Sequence, residues 1–115
     1  MNMKTTIYLA ELKSPYYLEQ TFSYAHSLGI DLKKSGAFYV ASCPFHLDTK
    51  PSFYLHNKRG KVRFTCFSNK CEGSWDIFDL IQKIEGCDFI TAVKQFGQHL
   101  SIEEVILPQG NIIKC

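Results

Sequence analysis

Cys43, His46, Cys66 and Cys71 are the residues whose types and spacing speak most directly of chemistry. They fall into two pairs, Cys43-Pro44-Phe45-His46 and Cys66-Phe67-Ser68-Asn69-Lys70-Cys71, with nineteen residues between them. Each pair fits a knuckle, a tight turn that aims two side chains at one point. Thiolate and imidazole are good zinc donors, and four of them close a tetrahedral structural site. The spacing predicts one structural Zn2+ held by Cys43, His46, Cys66 and Cys71, with no position left for a substrate. The bland alternative is buried core cysteines beside a surface histidine. His56 and Cys87 are rival donors, but His56 falls mid-strand and Cys87 between helices, neither inside a knuckle. Cys115 reads as a free terminal thiol, and His26 and His99 as helix-surface residues. The H-x-E with P-C-x-x-C signature of zinc deaminases and the H-E-x-x-H motif are both missing. No catalytic residue is expected in this chain.

The knuckles need elements to hold them. Ser52–His56 and Lys61–Phe67 read as two strands joined by the turn Asn57-Lys58-Arg59-Gly60, a hairpin lying between the two ligand pairs. Strand alternation puts Phe53 and Leu55 on one face with Val62, Phe64 and Cys66. Tyr54, His56, Lys61, Arg63 and Thr65 fall on the other, a basic and aromatic face. Ala37–Ala41 reads as a further short strand after the turn Lys33-Lys34-Ser35-Gly36.

Ser14 and Pro15 predict the start of a helix running to about Leu28, ended by Gly29. After the last cysteine, Ser74 is expected to cap a second helix with the apolar stripe Ile77, Phe78, Leu80, Ile81 and Ile84. Asp88 is expected to cap a third, in which Phe89, Ala92, Val93, Phe96 and Leu100 recur at helical spacing. Ser101 and Glu104 match a capping box, and Pro108 and Gly110 stop any helix begun there. The expected class is α+β, a small zinc-ribbon antiparallel sheet with flanking helices. The expected organisation is a helical segment over 1–28, the ribbon over 29–102 and a tail over 103–115.

Composition agrees with a small globular chain: 115 residues, 45% hydrophobic, net charge +2. A core of this size is modest, so a metal would add usefully to it. No apolar run approaches the ~20 residues that cross a bilayer, and Glu11 follows the short apolar patch Ile7–Ala10 too soon for a signal peptide. A cytoplasmic protein is expected, whose five cysteines suggest metal binding or free thiols before disulfides. The charge is unevenly spread. Residues 33–70 hold eight Lys/Arg and one acid, a net +7, between flanks of −1 and −4. A basic block of this kind favours an anionic partner.

Cys43-Pro44-Phe45-His46, Asp48-Thr49-Lys50-Pro51-Ser52-Phe53 and Cys66-Phe67 followed by Cys71 resemble the zinc-binding domain of bacterial DnaG-type DNA primases. Similar domains occur in primases of phages and mobile elements. The resemblance runs from about Leu28 through Ile102. Two departures stand out: four residues separate the cysteines of the second knuckle where the family usually has two, and Trp75 follows where small residues and glycine are favoured. They imply a divergent member rather than a housekeeping primase. The resemblance implies zinc-ribbon architecture and binding of single-stranded template. By position it carries Lys33 or Lys34, Asp48, Lys50 and Pro51 onto the DNA-binding surface. It implies partnership with a Toprim primase catalytic domain or a helicase, since polymerisation belongs to a separate domain. Glu85-Gly86 resembles a fragment of the Toprim motif, but no Asp-x-Asp pair follows.

Single-strand binders combine a basic groove for phosphates with aromatic rings for bases. The outward sheet face offers Lys61 and Arg63 beside Tyr54, with Lys50, Lys58 and Arg59 at its ends. The ordinary alternative is a solvated strand surface, since Lys and Arg also guard sheet edges. The expected function is a zinc-dependent single-stranded DNA module of primase type, acting in primer initiation during DNA replication. The competing reading is a zinc-ribbon adaptor that recruits a replication enzyme of a mobile element. A freestanding zinc enzyme is disfavoured by the closed ligand set.

Overall fold

The computed structural model describes residues 5–47 and 50–115. Its centre is a five-stranded antiparallel sheet: β2 (Lys33–Ser35), β3 (Phe38–Ala41), β4 (Phe53–Lys58), β5 (Lys61–Cys66) and β6 (Ser74–Trp75), paired in that order. The β4–β5 hairpin turns at Arg59 and Gly60, both at positive φ (53° and 79°), and the Asn57 side chain accepts from the Gly60 amide. That turn geometry explains the Asn-Lys-Arg-Gly sequence.

Alternation along the hairpin is as expected. Phe53, Leu55, Val62, Phe64 and Cys66 are buried, whereas Tyr54, His56, Arg63 and Thr65 are half-buried and Lys61 is exposed. The buried face carries α3 (Ile77–Glu85), and α4 (Phe89–His99) packs against α3. Phe53 stacks on Phe64 at 5.7 Å, and Phe78 meets Phe96 edge-on at 5.7 Å between the two helices. α2 (Leu18–Ser27) bridges the layers, with Phe22 stacked on Tyr39 of β3 at 4.5 Å and Tyr24 against Phe96 of α4.

Lys33–Ser35, expected as part of a turn, is strand β2, with the turn at Gly36 and Ala37. Three further local expectations are corrected. Ser14 does not cap a helix; its hydroxyl donates to the Glu11 carbonyl, closing the short helix α1 (Leu9–Leu12), and a 3-10 turn over Pro15–Tyr17 leads into α2. Ser74 does not cap α3, because Ser74–Trp75 is drawn into the sheet beside β5. Asp76 caps instead, accepting from the Asp79 amide while the Asp79 side chain accepts from the Asp76 amide. Asp88 caps α4 as expected.

The last correction concerns Ser101 and Glu104. Ser101 sits at φ 59°, and Glu104 opens a strand, β7 (Glu104–Ile106). β7 lies between β1 (Thr6–Tyr8), parallel, and β8 (Ile112–Lys114), antiparallel. This second sheet buries Val105 and Ile113 with Leu9 and Leu12 in the common core. The Val62 amide donates to the Lys13 carbonyl, joining the first segment to the larger sheet, and the Lys13 ammonium lies 3.0 Å from Asp76 Oδ2 at the start of α3.

Candidate metal centre and nucleic-acid face

The first knuckle leaves β3 and turns at Pro44; the second leaves β5 and returns to β6. The β4–β5 hairpin pairs Phe53 with Cys66, which draws the two knuckles together. One donor atom from each of Cys43, His46, Cys66 and Cys71 then lies within 4.8 Å of every other. Cys43 Sγ is 3.9 Å from Cys71 Sγ, and His46 Nε2 is 3.3 Å from Cys66 Sγ. Tetrahedral zinc with ordinary bond lengths sets ligand edges of about 3.8 Å between sulfurs and about 3.6 Å between nitrogen and sulfur. The cluster fits the ion.

The four-residue gap of the second knuckle closes by an extra turn. The Ser68 carbonyl accepts from the amides of Cys71 and Glu72, and the Ser68 hydroxyl accepts from the Lys70 amide. Glu72 adopts φ 47°, and the Gly73 carbonyl accepts from the Cys66 amide, so Cys71 is folded back toward Cys66. Trp75 makes its own demand here. A Cβ at Gly73 would stand 2.1 Å from the Trp75 ring, so this position requires glycine. The indole packs on Phe45 at 4.9 Å, and the Lys83 ammonium of α3 lies 4.9 Å over the same Phe45 ring.

Neighbouring groups orient the donors. His46 Nδ1–H donates to the Leu47 carbonyl at 2.9 Å, leaving Nε2 as the nitrogen aimed at Cys66, the arrangement that fixes metal-binding imidazoles. Burial, the largest cause, pushes the Cys43 thiol up to about 12; hydrogen bonding with Cys66 and Cys71 adds to it, against a lowering bond from the Phe45 backbone. Burial also drives Cys66 upward, but bonds with His46, the Ser68 backbone, Ser52 and Cys43 together outweigh it and bring Cys66 down to about 7. A bound dication stabilises thiolates outright, reversing the burial effect. His56 and Cys87, the rival donors, are not in the cluster. His56 Nε2 bonds Thr65 Oγ1 at 2.9 Å.

The opposite face of the sheet is organised by register. Lys33, Val40, Tyr54, Thr65 and Ser74 form one row across all five strands, pointing away from the helices. Lys34 belongs to the neighbouring row with Tyr39, Leu55, Phe64 and Trp75, which faces the core. Strand alternation therefore separates the two lysines, leaving Lys33 on the outward face and Lys34 exposed at the edge of the packed face. Lys33 and Pro51 line one cleft of about 340 Å3 with Val40 and Pro44, beside the first knuckle. Lys50 is exposed at its approach to β4. Asp48 lies outside the described residues.

Tyr54 sits at the middle of an aromatic row. Phe38 meets it at 5.1 Å and Phe67 at 5.3 Å, both edge-on, and His56 lies 6.5 Å beyond Phe67. Phe38 is 37% and Phe67 65% exposed, unusual for phenylalanine. Lys61 and Arg63 line a second cavity, next to Phe67. Sequence reasoning missed Phe38 and Phe67 as surface rings. Alternation carried the signal for both: within Ala37–Ala41 for Phe38, and within the expected strand Lys61–Phe67 for Phe67, which falls in step with Lys61, Arg63 and Thr65 although the observed strand ends at Cys66.

The chain matches the CHC2 zinc-finger family, the zinc ribbon of DnaG, over residues 12–109. It is 35% identical over 74 residues to a DNA primase of Thermotoga maritima and 38% identical over 76 residues to one of Enterococcus faecalis, matches that cover 64% of the chain. A DNA primase of Chlamydia muridarum is 32% identical over 100 residues, covering 79% of the chain. The chain spans only 12% of the Thermotoga and Enterococcus proteins and 16% of the Chlamydia protein. Its fold is similar to that in the structure of the zinc-binding and RNA polymerase domains of the Aquifex aeolicus primase (TM-score 0.56, 23% identity, 73% of this chain and 21% of that one). Among the described residues no helix is long and apolar enough to cross a membrane. With its clustered Cys-His-Cys-Cys donors and sheet-and-helix frame, the chain belongs to the CHC2 zinc-finger family of DnaG-type DNA primases.

Proposed function

We propose that this chain is the single-stranded template-binding module of a DNA primase, acting in primer initiation, and that Cys43, His46, Cys66 and Cys71 hold one structural zinc in it. The observation that carries the reading is the exposed row Phe38–Tyr54–Phe67 running beside Lys61 and Arg63 on the sheet face away from the helices. Stacking on such rings contributes about 1–3 kcal/mol per base, and cations beside them take the backbone charge. Lys33, Lys50 and Pro51 extend the same surface toward the first knuckle, and the departures at the second knuckle and Trp75 suit a primase of a phage or mobile element. The metal's part is architectural: it joins the knuckles that frame the β4–β5 hairpin.

The polymerising chemistry belongs to a Toprim partner. Fluorescence anisotropy with a short single-stranded DNA, repeated across salt concentrations, tests the binding. Measurable affinity that weakens with salt supports the reading, and no binding at low salt rejects it in favour of a protein-recruiting adaptor. Addition of the chain to a matching Toprim domain should stimulate primer synthesis, while the chain alone should make none.

A further inference from the structure

The cavity beside Phe67 has more positive charge than a passing strand requires. It measures about 450 Å3, within the roughly 300–1,000 Å3 of small-molecule sites. Lys58, Arg59, Lys61 and Arg63 all line it, and among the described residues no carboxylate does. Among the described residues, none of the four enters an ion pair. Lys58 and Lys61 stand directly opposite each other across the hairpin, an arrangement of like charges that destabilises a sheet. The turn that brings Arg59 beside them holds it at φ 53°, a conformation few non-glycine residues adopt.

The floor of the cavity is polar and ordered. Arg63 Nε and Nη2 both donate to Ser74 Oγ, at 3.3 and 3.2 Å. Ser74 Oγ lies 3.3 Å from Thr65 Oγ1, which bonds His56 Nε2. The guanidinium is thus set in place before any ligand arrives, which reduces the ordering cost of binding. A strand backbone brings one charge per nucleotide past any point. Four convergent cations match instead a group that concentrates several charges, with Phe67 at the rim to receive the attached base.

From this geometry we infer that the cavity at Lys58, Arg59, Lys61 and Arg63 is a subsite for a 5′-triphosphate, carried by a free nucleoside triphosphate or by the 5′ end of an RNA strand. The inference deepens the proposed function, adding to a template track a site for the nucleotide that starts the complementary strand.

The test uses the whole zinc-loaded chain and one oligoribonucleotide carrying either a 5′-triphosphate or a 5′-hydroxyl. The triphosphate form should bind at least about tenfold more tightly, the gain from a single charge-assisted hydrogen bond. Lys58→Ala with Arg59→Ala should make the two ends bind alike, while Phe38→Ala, away from the cavity, should leave their ratio unchanged. Zinc content and circular dichroism verify that each variant is folded. Displacement of the triphosphorylated RNA by ATP but not AMP assigns the site to free nucleotide; discrimination between ends without displacement by ATP assigns it to an RNA 5′ end. Equal affinity for the two ends, with no binding of ATP, overturns the inference. If single-stranded DNA still binds in that case, the template-binding reading survives alone; if no single strand binds, both fall.

Discussion

The Lys13 ammonium lies 3.0 Å from the Asp76 carboxylate, linking the chain's first helix to the cap of α3. Asp76 therefore has two tasks, pairing with Lys13 and accepting the Asp79 amide, and it is buried while Lys13 is about one-third exposed.

Removing each partner should separate those tasks. Lys13→Ala loses a partly exposed ion pair, about 0–1 kcal/mol. Asp76→Ala loses the cap as well, a further ~1 kcal/mol. Urea denaturation of the zinc-loaded chain should show Asp76→Ala as the more damaging change. An equal or larger effect from Lys13→Ala would show that leaving the buried Asp76 carboxylate without its counter-ion costs more than losing the cap.

Zinc binding and folding should be one event in a chain of this size. Cys43→Ser, Cys66→Ser and Cys71→Ser should each yield protein without stoichiometric metal and without a cooperative melt. His56→Ala and Cys87→Ser should retain one zinc per chain, because neither side chain is in the donor cluster. Metal analysis by mass spectrometry decides the ligand set directly.

On the outward face, Lys61→Ala with Arg63→Ala should weaken single-stranded DNA binding without loss of zinc. If each contacts one phosphate, the slope of log affinity against log salt falls by about 0.7 per contact. Phe38→Ala and Phe67→Ala should weaken binding by about 1–3 kcal/mol for each base that loses its stack, with the salt slope preserved. Lys94→Ala, at an exposed position of α4, is the control. Lys83 is unsuited to that purpose because it covers the Phe45 ring inside the first knuckle. A slope unchanged in the double variant would exclude phosphate contact at this place.

His56 should resist protonation. Burial first, then Lys58 and Arg63, holds its pKa below the ordinary 6.5. The unfolded chain therefore takes up this proton at a higher pH than the folded one, so the stability due to neutral His56 is complete above 6.5 and is lost as pH falls through the folded value. His56→Gln should flatten that part of the acid-denaturation profile. NMR titration of the imidazole gives the folded pKa, and a value above 6.5 would contradict the structural account.

The gathering of Cys43, His46, Cys66 and Cys71 into a candidate metal cluster was legible in the sequence because its information is local. A knuckle is a short turn, so ligand type and spacing suffice to place two donors, and the hairpin pattern between Ser52 and Phe67 supplies the means of joining two knuckles. The hairpin faces were legible for the same reason, since alternation has a period of two and depends on no distant contact. Asp88 capped its helix as expected, a bond spanning three residues.

Tertiary structure alone decided where partners are remote or too short to leave a pattern. β1, β7 and β8 have three residues each, and Thr6 meets Glu104 across 98 positions. A three-residue strand shows no periodicity, so the capping-box signal at Ser101 and Glu104 went unopposed until parallel pairing with β1 claimed the segment. Ser74 had the composition of a cap but was taken by the edge of β5, where its hydroxyl accepts from Arg63, and the cap passed to Asp76. Lys33 and Lys34 are neighbours in sequence, yet register with β3 sends them to opposite faces. Local chemistry named the donors of the site, and long-range pairing chose which surface residues stand together on the face beside it.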